Sequence, residues 1–273
     1  MVEISVRVAG GLGNQLFQMG AATVLADKIG DCRVTWVNAV GQYTTKRSAD
    51  FLRILRPHVI ESGLCYRQLH RLRVGRLPLP FCVNDGNFGR LLHQAGPGWK
   101  YDRLVLDGYF QDAWSSESVS SLIAAVKARS SEVAVLVDEV VVHVRGGDFQ
   151  KIGDFAILGA DYYSRAIQLL LSLIGARAKV ICVVTDDAAH AQRLLGDVGR
   201  KCGVSFRIAG SDGALSDFER IRRAKYRIIS NSTFSWWAAA LSRAGGLTVG
   251  CDRWTQRRQR AYRLDGEILL NAA

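Results

Sequence analysis

Acidic residues, prolines and paired cysteines are all scarce in this 273-residue chain. No two of its six cysteines form a C-x-x-C pair. Several, such as Cys182 in VICVVT, stand in apolar strand-like runs where cysteine serves as a small hydrophobe, so neither a zinc site nor a disulfide framework is expected. No apolar run reaches the roughly 18 to 20 residues needed to cross a bilayer. The opening MVEISVRVAGG lacks the basic-then-apolar layout of a signal peptide, and a cytosolic protein is the expectation. A G-x-x-x-x-G-K-[ST] phosphate loop is also missing. The four prolines, Pro57, Pro78, Pro80 and Pro97, all fall between residues 40 and 100, which marks that stretch as loops and short helices.

The shortage of acid leaves 25 Asp and Glu against 36 Lys and Arg, a formal charge of +11. Such a balance favours anionic partners: nucleic acid, anionic lipid or a phosphorylated ligand. Arginine is concentrated at 67 to 76, at 220 to 227 and at 253 to 263. Solvated helix faces and a functional basic surface both fit these clusters.

What is present is a 48% apolar chain, enough for one large core or two ordinary ones. EISVRVA reads as a buried strand, GGLGN as a turn, QLFQMGAATVLADKIG as a helix and CRVTWVN as a second strand, a βαβ opening. VLDGYF predicts another strand, and SSESVSSLIAAVKARS a helix capped by a serine near 115. From about residue 139 the alternation is regular, with strands at EVVVHV, KVICVVT, SFRIA, YRIISN and LTVGC separated by four helical segments. Strands that are apolar on both faces and separated by helices predict a parallel sheet. The expected class is therefore α/β with two Rossmann-like domains, 1–135 and 136–273.

In such sheets ligands bind beyond the carboxyl ends of the strands. The run VVVHVRGGDF ends its strand at Arg145, with Gly146 and Gly147 allowing close backbone approach. Two readings fit: an arginine aimed at a ligand, or one paired with Asp148 in a structural salt bridge. Similar polar junctions occur at Gly10, Gly11, Gly13, Asn14 and Gln15, at Thr185, Asp186 and Asp187, and at Asn231, Ser232 and Thr233. Together they describe a nucleotide site drawn from both domains. GGLGN lacks the G-x-G-x-x-G spacing and the second strand ends in Asn38 rather than an acid, which disfavours a nicotinamide dehydrogenase. Asp186 and Asp187 open a helix, where acids complement the macrodipole, so base or ribose hydrogen bonds suit them better than a metal. Ser232 and Thr233 fit both a helix cap and a phosphate cradle. Trp236 and Trp237 read as core, and the sequon Asn231-Ser232-Thr233 would go unused in a cytosolic protein.

Taken in order, GGLGNQLFQ (10–18), GYFQD (108–112), HVRGGDF (143–149), TDDAAHA (185–191) and NSTFSWWAAAL (231–241) resemble the motifs of the bacterial α-1,2-fucosyltransferase family. The resemblance implies two domains facing each other across a cleft in the B-type glycosyltransferase fold, the N-terminal one binding acceptor and the C-terminal one the GDP-sugar. It implies a GDP-L-fucose donor, a galactoside acceptor, inversion, no cofactor and no metal. By the same resemblance Arg145 holds the diphosphate, His143 and Asp186 place the guanosine, and Ser232 and Thr233 cradle phosphate oxygens. Phe234, Gly147 and Asp187 stand beside them. Asn14 reaches the donor from the N-terminal half, with Gly11, Gly13 and Gln15 around it. Asp148 is the first candidate for general base and Asp154 a weaker one. The family usually reads H-x-R-R-G-D-Y, so Gly146 and Phe149 are departures. Loss of a second arginine leaves another GDP-sugar, another linkage or a catalytically silent GDP-sugar-binding protein as alternatives. The expected partners are a GDP-sugar and an oligosaccharide or lipid-linked glycan, with peripheral contact to an anionic membrane and no nucleic acid.

Overall fold

The computed structural model describes residues 1–38, 49–55, 60–61, 82–147, 158–175 and 180–272. The arginine cluster at 67 to 76 lies outside the described residues, as do Asp148, Phe149 and Asp154. The chain divides into two compact units, Met1–Ser131 and Glu132–Ala273. Among the described residues no helix is long and apolar enough to cross a membrane.

The first unit runs β1 (Val2–Val8), α1 (Leu12–Ile29), β2 (Cys32–Asn38), α2 (Phe51–Ile54), β3 (Ile60–Glu61), β4 (Cys82–Val83), α3 (Asp85–Gln94), β5 (Arg103–Leu106) and α4 (Ser118–Arg129). Its sheet has the order β3-β2-β1-β5-β4, with every pair parallel. Central β1 buries Ile4, Val6 and Val8 completely. Its buried Ser5 is satisfied by Thr35 Oγ1 at 3.0 Å, as a hydroxyl in a dry sheet must be. Helix α1 is buried almost all round, so its sequence shows little amphipathic bias. A Cβ on Gly20 would stand 2.5 Å from Leu122 and 2.8 Å from Val126, and glycine there lets α1 lie close against α4. The N-cap of α4 is Glu117, without a side-chain cap, rather than the serine expected; around it Ser118 N–H donates to Ser115 Oγ at 3.2 Å and Ser115 N–H to Ser118 Oγ at 2.8 Å.

The second unit runs β6 (Leu136–Val144), α5 (Ala160–Ile174), β7 (Val180–Thr185), α6 (Ala188–Cys202), β8 (Ser205–Ile208), α7 (Ala214–Arg223), β9 (Ala224–Ile228), α8 (Thr233–Ala240), β10 (Leu247–Cys251) and β11 (Glu267–Leu270). The parallel order is β11-β10-β9-β6-β7-β8. Val142, Val144, Ile167, Leu170, Ile181, Val183, Ile228 and Val249 share its core. Each such side chain contributes roughly 1.5–3 kcal/mol on burial. β11 was not foreseen, because EILL is a short strand set off by a turn at Asp265 and Gly266.

Both units are α/β with fully parallel sheets, as the alternation predicted. In each, the first strand has neighbours on either side that continue in opposite directions. The topological switch therefore lies between β1 and β5 in the first unit and between β6 and β9 in the second, and ligands of open α/β sheets gather beyond the strand ends at such points.

Candidate functional site

In the second unit the switch point brings together the segments that leave the carboxyl ends of β6 and β9. On the other side of β6, parallel pairing with β7 sets His143 opposite Val184 and Val144 opposite Thr185, so the next residues, Arg145 and Asp186, leave adjacent strands side by side. Arg145 Nη1 meets Asp186 Oδ2 at 2.7 Å, the two side chains being 17% and 31% exposed. Gly146 N–H donates to Asp186 Oδ1 at 2.9 Å. The structural partner of Arg145 is thus Asp186; the suggested pair with Asp148 falls outside the described residues. Gly147 adopts φ +36°, and a Cβ there would collide with Asp186 Oδ2.

His143, expected near the guanosine, lies at the carboxyl end of β6. It is only 3% exposed, and its Nδ1 lies 2.8 Å from Ser230 Oγ, so the ring ties the ends of β6 and β9 together. Burial, and secondarily the charge of Arg145, lowers its pKa to about 3, and the imidazole is neutral at ordinary pH. Two tyrosines of α5 brace the same strand ends: Tyr163 OH donates to the His143 carbonyl at 3.2 Å, and Tyr162 OH to the Ile229 carbonyl at 2.7 Å.

After β9 the chain turns through Ser230, Asn231 and Ser232 into α8. Ser232 occupies the N-cap, yet its side chain makes no capping hydrogen bond. By contrast Asn84 caps α3 and Asp187 caps α6. The N-terminus of α8 presents a positive dipole end, and helix N-termini of this kind suit an anion. The opposite end is fixed from the interior: Arg227 donates to the carbonyls of Ala239 (3.4 Å) and Gly245 (3.0 Å), and Arg222 to Leu241 (3.2 Å). Cations at a helix C-terminus complement its dipole. Burial lowers Arg227 to about 10, which leaves it charged. Much of the 220 to 227 cluster is therefore structural rather than a basic surface. Trp236 and Trp237 are wholly buried, as expected of core residues.

Phe234, half-buried, stands 5.7 Å from His143 and 5.4 Å from Phe218, ring centre to ring centre. Beside Phe218 lies Asp217, a residue that the sequence did not single out. Its Oδ2 accepts from Ser211 Oγ at 2.9 Å. Burial raises its pKa above the ordinary carboxylate value, Ser211 and Arg220 oppose this, and the charge of Asp186 adds to it. The only sequence signal was an acid in the first turn of a helix after a strand, which is too common to distinguish it.

Asp187 is the N-cap of α6. Its Oδ1 accepts from His190 N–H at 2.9 Å and its own N–H donates to Thr185 Oγ1 at 3.0 Å. Among the described residues no group of three or more His, Cys, Asp or Glu is placed to hold a metal ion.

In the first unit Gly10 takes φ +78° and Gly11 opens α1 without a side-chain cap; Gly13 lies in the first turn. Asn14 Oδ1 accepts from Gln111 Nε2 at 2.8 Å, which joins the GGLGN and GYFQD motifs across the β1/β5 switch. The GYFQD turn is organised by Asp85, whose carboxylate accepts from the N–H groups of Tyr109 and Phe110. Gln15 bonds within the first unit. It is fully buried, its Nε2 donates to the Gly10 carbonyl at 3.0 Å, and its Oε1 accepts from Phe51 N–H at 3.2 Å.

The chain is 25% identical over 276 residues to the O-antigen biosynthesis glycosyltransferase WbnK of Escherichia coli, covering 86% of this chain and 89% of that one. It is 29% identical over 135 residues to an Escherichia coli alpha-1,2-colitosyltransferase, 47% of this chain and 45% of that one. Among solved structures, E. coli heptosyltransferase WaaC with ADP aligns at 12% identity over 99% of this chain and 93% of that one, with a TM-score of 0.49. The model of the glycosyl transferase family 11 matches residues 117–265. That span takes in the strand ends around Arg145, Asp186 and Ser232 and more than half of the sequence: the chain belongs to glycosyl transferase family 11, the fucosyltransferase family that its motifs resemble.

Proposed function

We propose that this glycosyltransferase moves L-fucose from GDP-L-fucose to a galactose hydroxyl of an oligosaccharide acceptor, with inversion and an α-1,2 linkage, in the synthesis of a surface polysaccharide. The observation that carries the reading is the adjacency of β6 and β9, which lead respectively into Arg145 and into the N-terminus of α8, a cation and a helix start after neighbouring strands. A diphosphate fits that combination. In this reading the second unit binds the donor and the first binds acceptor, with Asn14 and Gln111 among its polar groups.

Departure of the sugar passes through an oxocarbenium-like state while negative charge gathers on GDP. In this reading Arg145 and the N-terminus of α8, with Ser232 and Thr233, take up that charge as it develops. No metal is invoked, because the protein's own groups supply the stabilisation. Guanine carries N–H donors on its pairing edge, and the half-buried Asp217 carboxylate, near the Phe218 and Phe234 rings, is the proposed acceptor for them. Asp148 is proposed to take the proton of the attacking acceptor hydroxyl.

A second reading keeps the mechanism and changes the sugar. One relative is a colitosyltransferase, which supports a deoxy sugar other than fucose on the same nucleotide. Peripheral association with an anionic membrane, where lipid-linked glycans lie, also belongs to the proposal. Calorimetric titration with GDP, ADP and UDP tests the nucleotide. GDP is expected to bind at least tenfold more tightly than the other two; equal affinity, or preference for ADP or UDP, would overturn the reading.

A further inference from the structure

We propose that Asp186 is a positioning residue: its carboxylate holds Arg145 and the Gly146–Gly147 turn in the form that receives the donor diphosphate, so it acts through Arg145 and not on the base. The inference rests on the reading of Arg145 as diphosphate ligand. It replaces the guanosine role that the motif resemblance implied for Asp186.

Three observations converge. Sheet register delivers the pair, since Val144 stands opposite Thr185 and the next residues are Arg145 and Asp186. Each carboxylate oxygen already takes a hydrogen from the turn, Oδ2 from Arg145 at 2.7 Å and Oδ1 from Gly146 at 2.9 Å. The turn is also shaped around the carboxylate: at Gly147, with φ +36°, any Cβ would run into Asp186 Oδ2. A purine edge would have to compete for the same two oxygens and dismantle the turn beneath the phosphates.

The physical benefit is preorganisation. An arginine side chain has substantial rotamer freedom, and fixing it before the ligand arrives lowers the ordering cost of binding. The carboxylate also keeps the guanidinium paired in the free protein, where 17% exposure leaves it little water. In the family pattern an arginine occupies position 146; here glycine does, and its N–H donates to Asp186. Asp186 thereby orders both the remaining arginine and the residue that replaced the second one.

The test combines Asp186→Asn, Asp186→Ala, Arg145→Ala and the Arg145→Ala/Asp186→Ala double variant, titrated with GDP and with inosine diphosphate, which lacks the guanine amino group. Asp186→Ala is expected to weaken both nucleotides at least tenfold with their ratio unchanged within twofold. Asp186→Asn, which keeps an acceptor for Gly146, should recover part of the loss. In the Arg145→Ala background the second substitution should cost less than a further twofold. A collapsed preference for GDP over inosine diphosphate, or full multiplicativity of the two single losses, would overturn the proposal. Hydrogen exchange of the 144–147 amides in the free protein supplies a readout independent of the nucleotide: exchange at least tenfold faster in Asp186→Ala is expected, and unchanged protection would refute the role. Failure of the donor reading is distinguishable, because it shows in the wild-type titrations with GDP, ADP and UDP.

Discussion

Replacing Arg145 with alanine isolates the group on which the proposed chemistry leans hardest. The side chain is mostly buried and meets Asp186 at 2.7 Å, so its removal deletes a fixed cation and leaves a carboxylate uncompensated at the same strand ends. A charge-assisted hydrogen bond is worth about 1.5–3 kcal/mol. Loss of one preorganised donor to a developing anion costs about 100-fold to 1000-fold in rate. Arg145→Ala is therefore expected to lower kcat/KM for donor turnover by at least ~100-fold, about 3 kcal/mol. Arg145→Lys, which keeps the charge and loses the planar fork, should fall between the two. The assay is steady-state turnover of the nucleotide sugar, with near-UV circular dichroism and urea midpoints to establish that the variants are folded. A folded Arg145→Ala protein within threefold of wild type would refute the reasoning.

Three further expectations concern the frame around this group. His143 titrates at about 3 in the folded chain against an ordinary 6.5; the unfolded chain therefore takes up a proton below pH 6.5 that the folded chain excludes, and stability falls with pH across that window. The loss attributable to His143 is about 2 kcal/mol by pH 5, and urea unfolding of His143→Gln should show a correspondingly smaller drop between pH 7 and pH 5. Gln15→Leu leaves the Gly10 carbonyl and Phe51 N–H without their buried partner and should lower stability by about 1–3 kcal/mol, while GDP affinity changes by less than twofold. The buried pair Arg260–Glu267, at 2.7 Å with 2% and 0% side-chain exposure, should behave likewise: Glu267→Gln is expected to cost about 3–5 kcal/mol in urea unfolding with little effect on GDP titration.

The parallel sheets were legible because β7 and the Val140–Val142 stretch of β6 are apolar on both faces, a pattern that helix-covered strands sustain. Arg145 was legible as the residue where such a strand stops. Its partner was not, since Asp186 comes after the neighbouring strand and adjacency of β6 and β7 is a property of the sheet. Gln15 was singled out because it adjoins GGLGN, but its buried bonds to Gly10 and Phe51 were not legible, since Phe51 lies far along the chain. The role of Asp85 under Tyr109 and Phe110 was hidden by its distance along the chain. Arg222 and Arg227 counted toward a basic surface on charge alone, and nothing in that count reveals the carbonyls at the end of α8 that receive them.

Donor selectivity in turnover tests the central claim most directly. Purified protein is incubated with lactose and, in separate reactions containing EDTA, with GDP-L-fucose, GDP-colitose, GDP-mannose or UDP-galactose, and the released nucleotide and glycoside are quantified. Chelator-insensitive transfer from GDP-L-fucose, with the other donors at least tenfold slower, is the predicted result. Preferred turnover of UDP-galactose, or tight GDP binding with no transfer from any GDP-sugar, would contradict it.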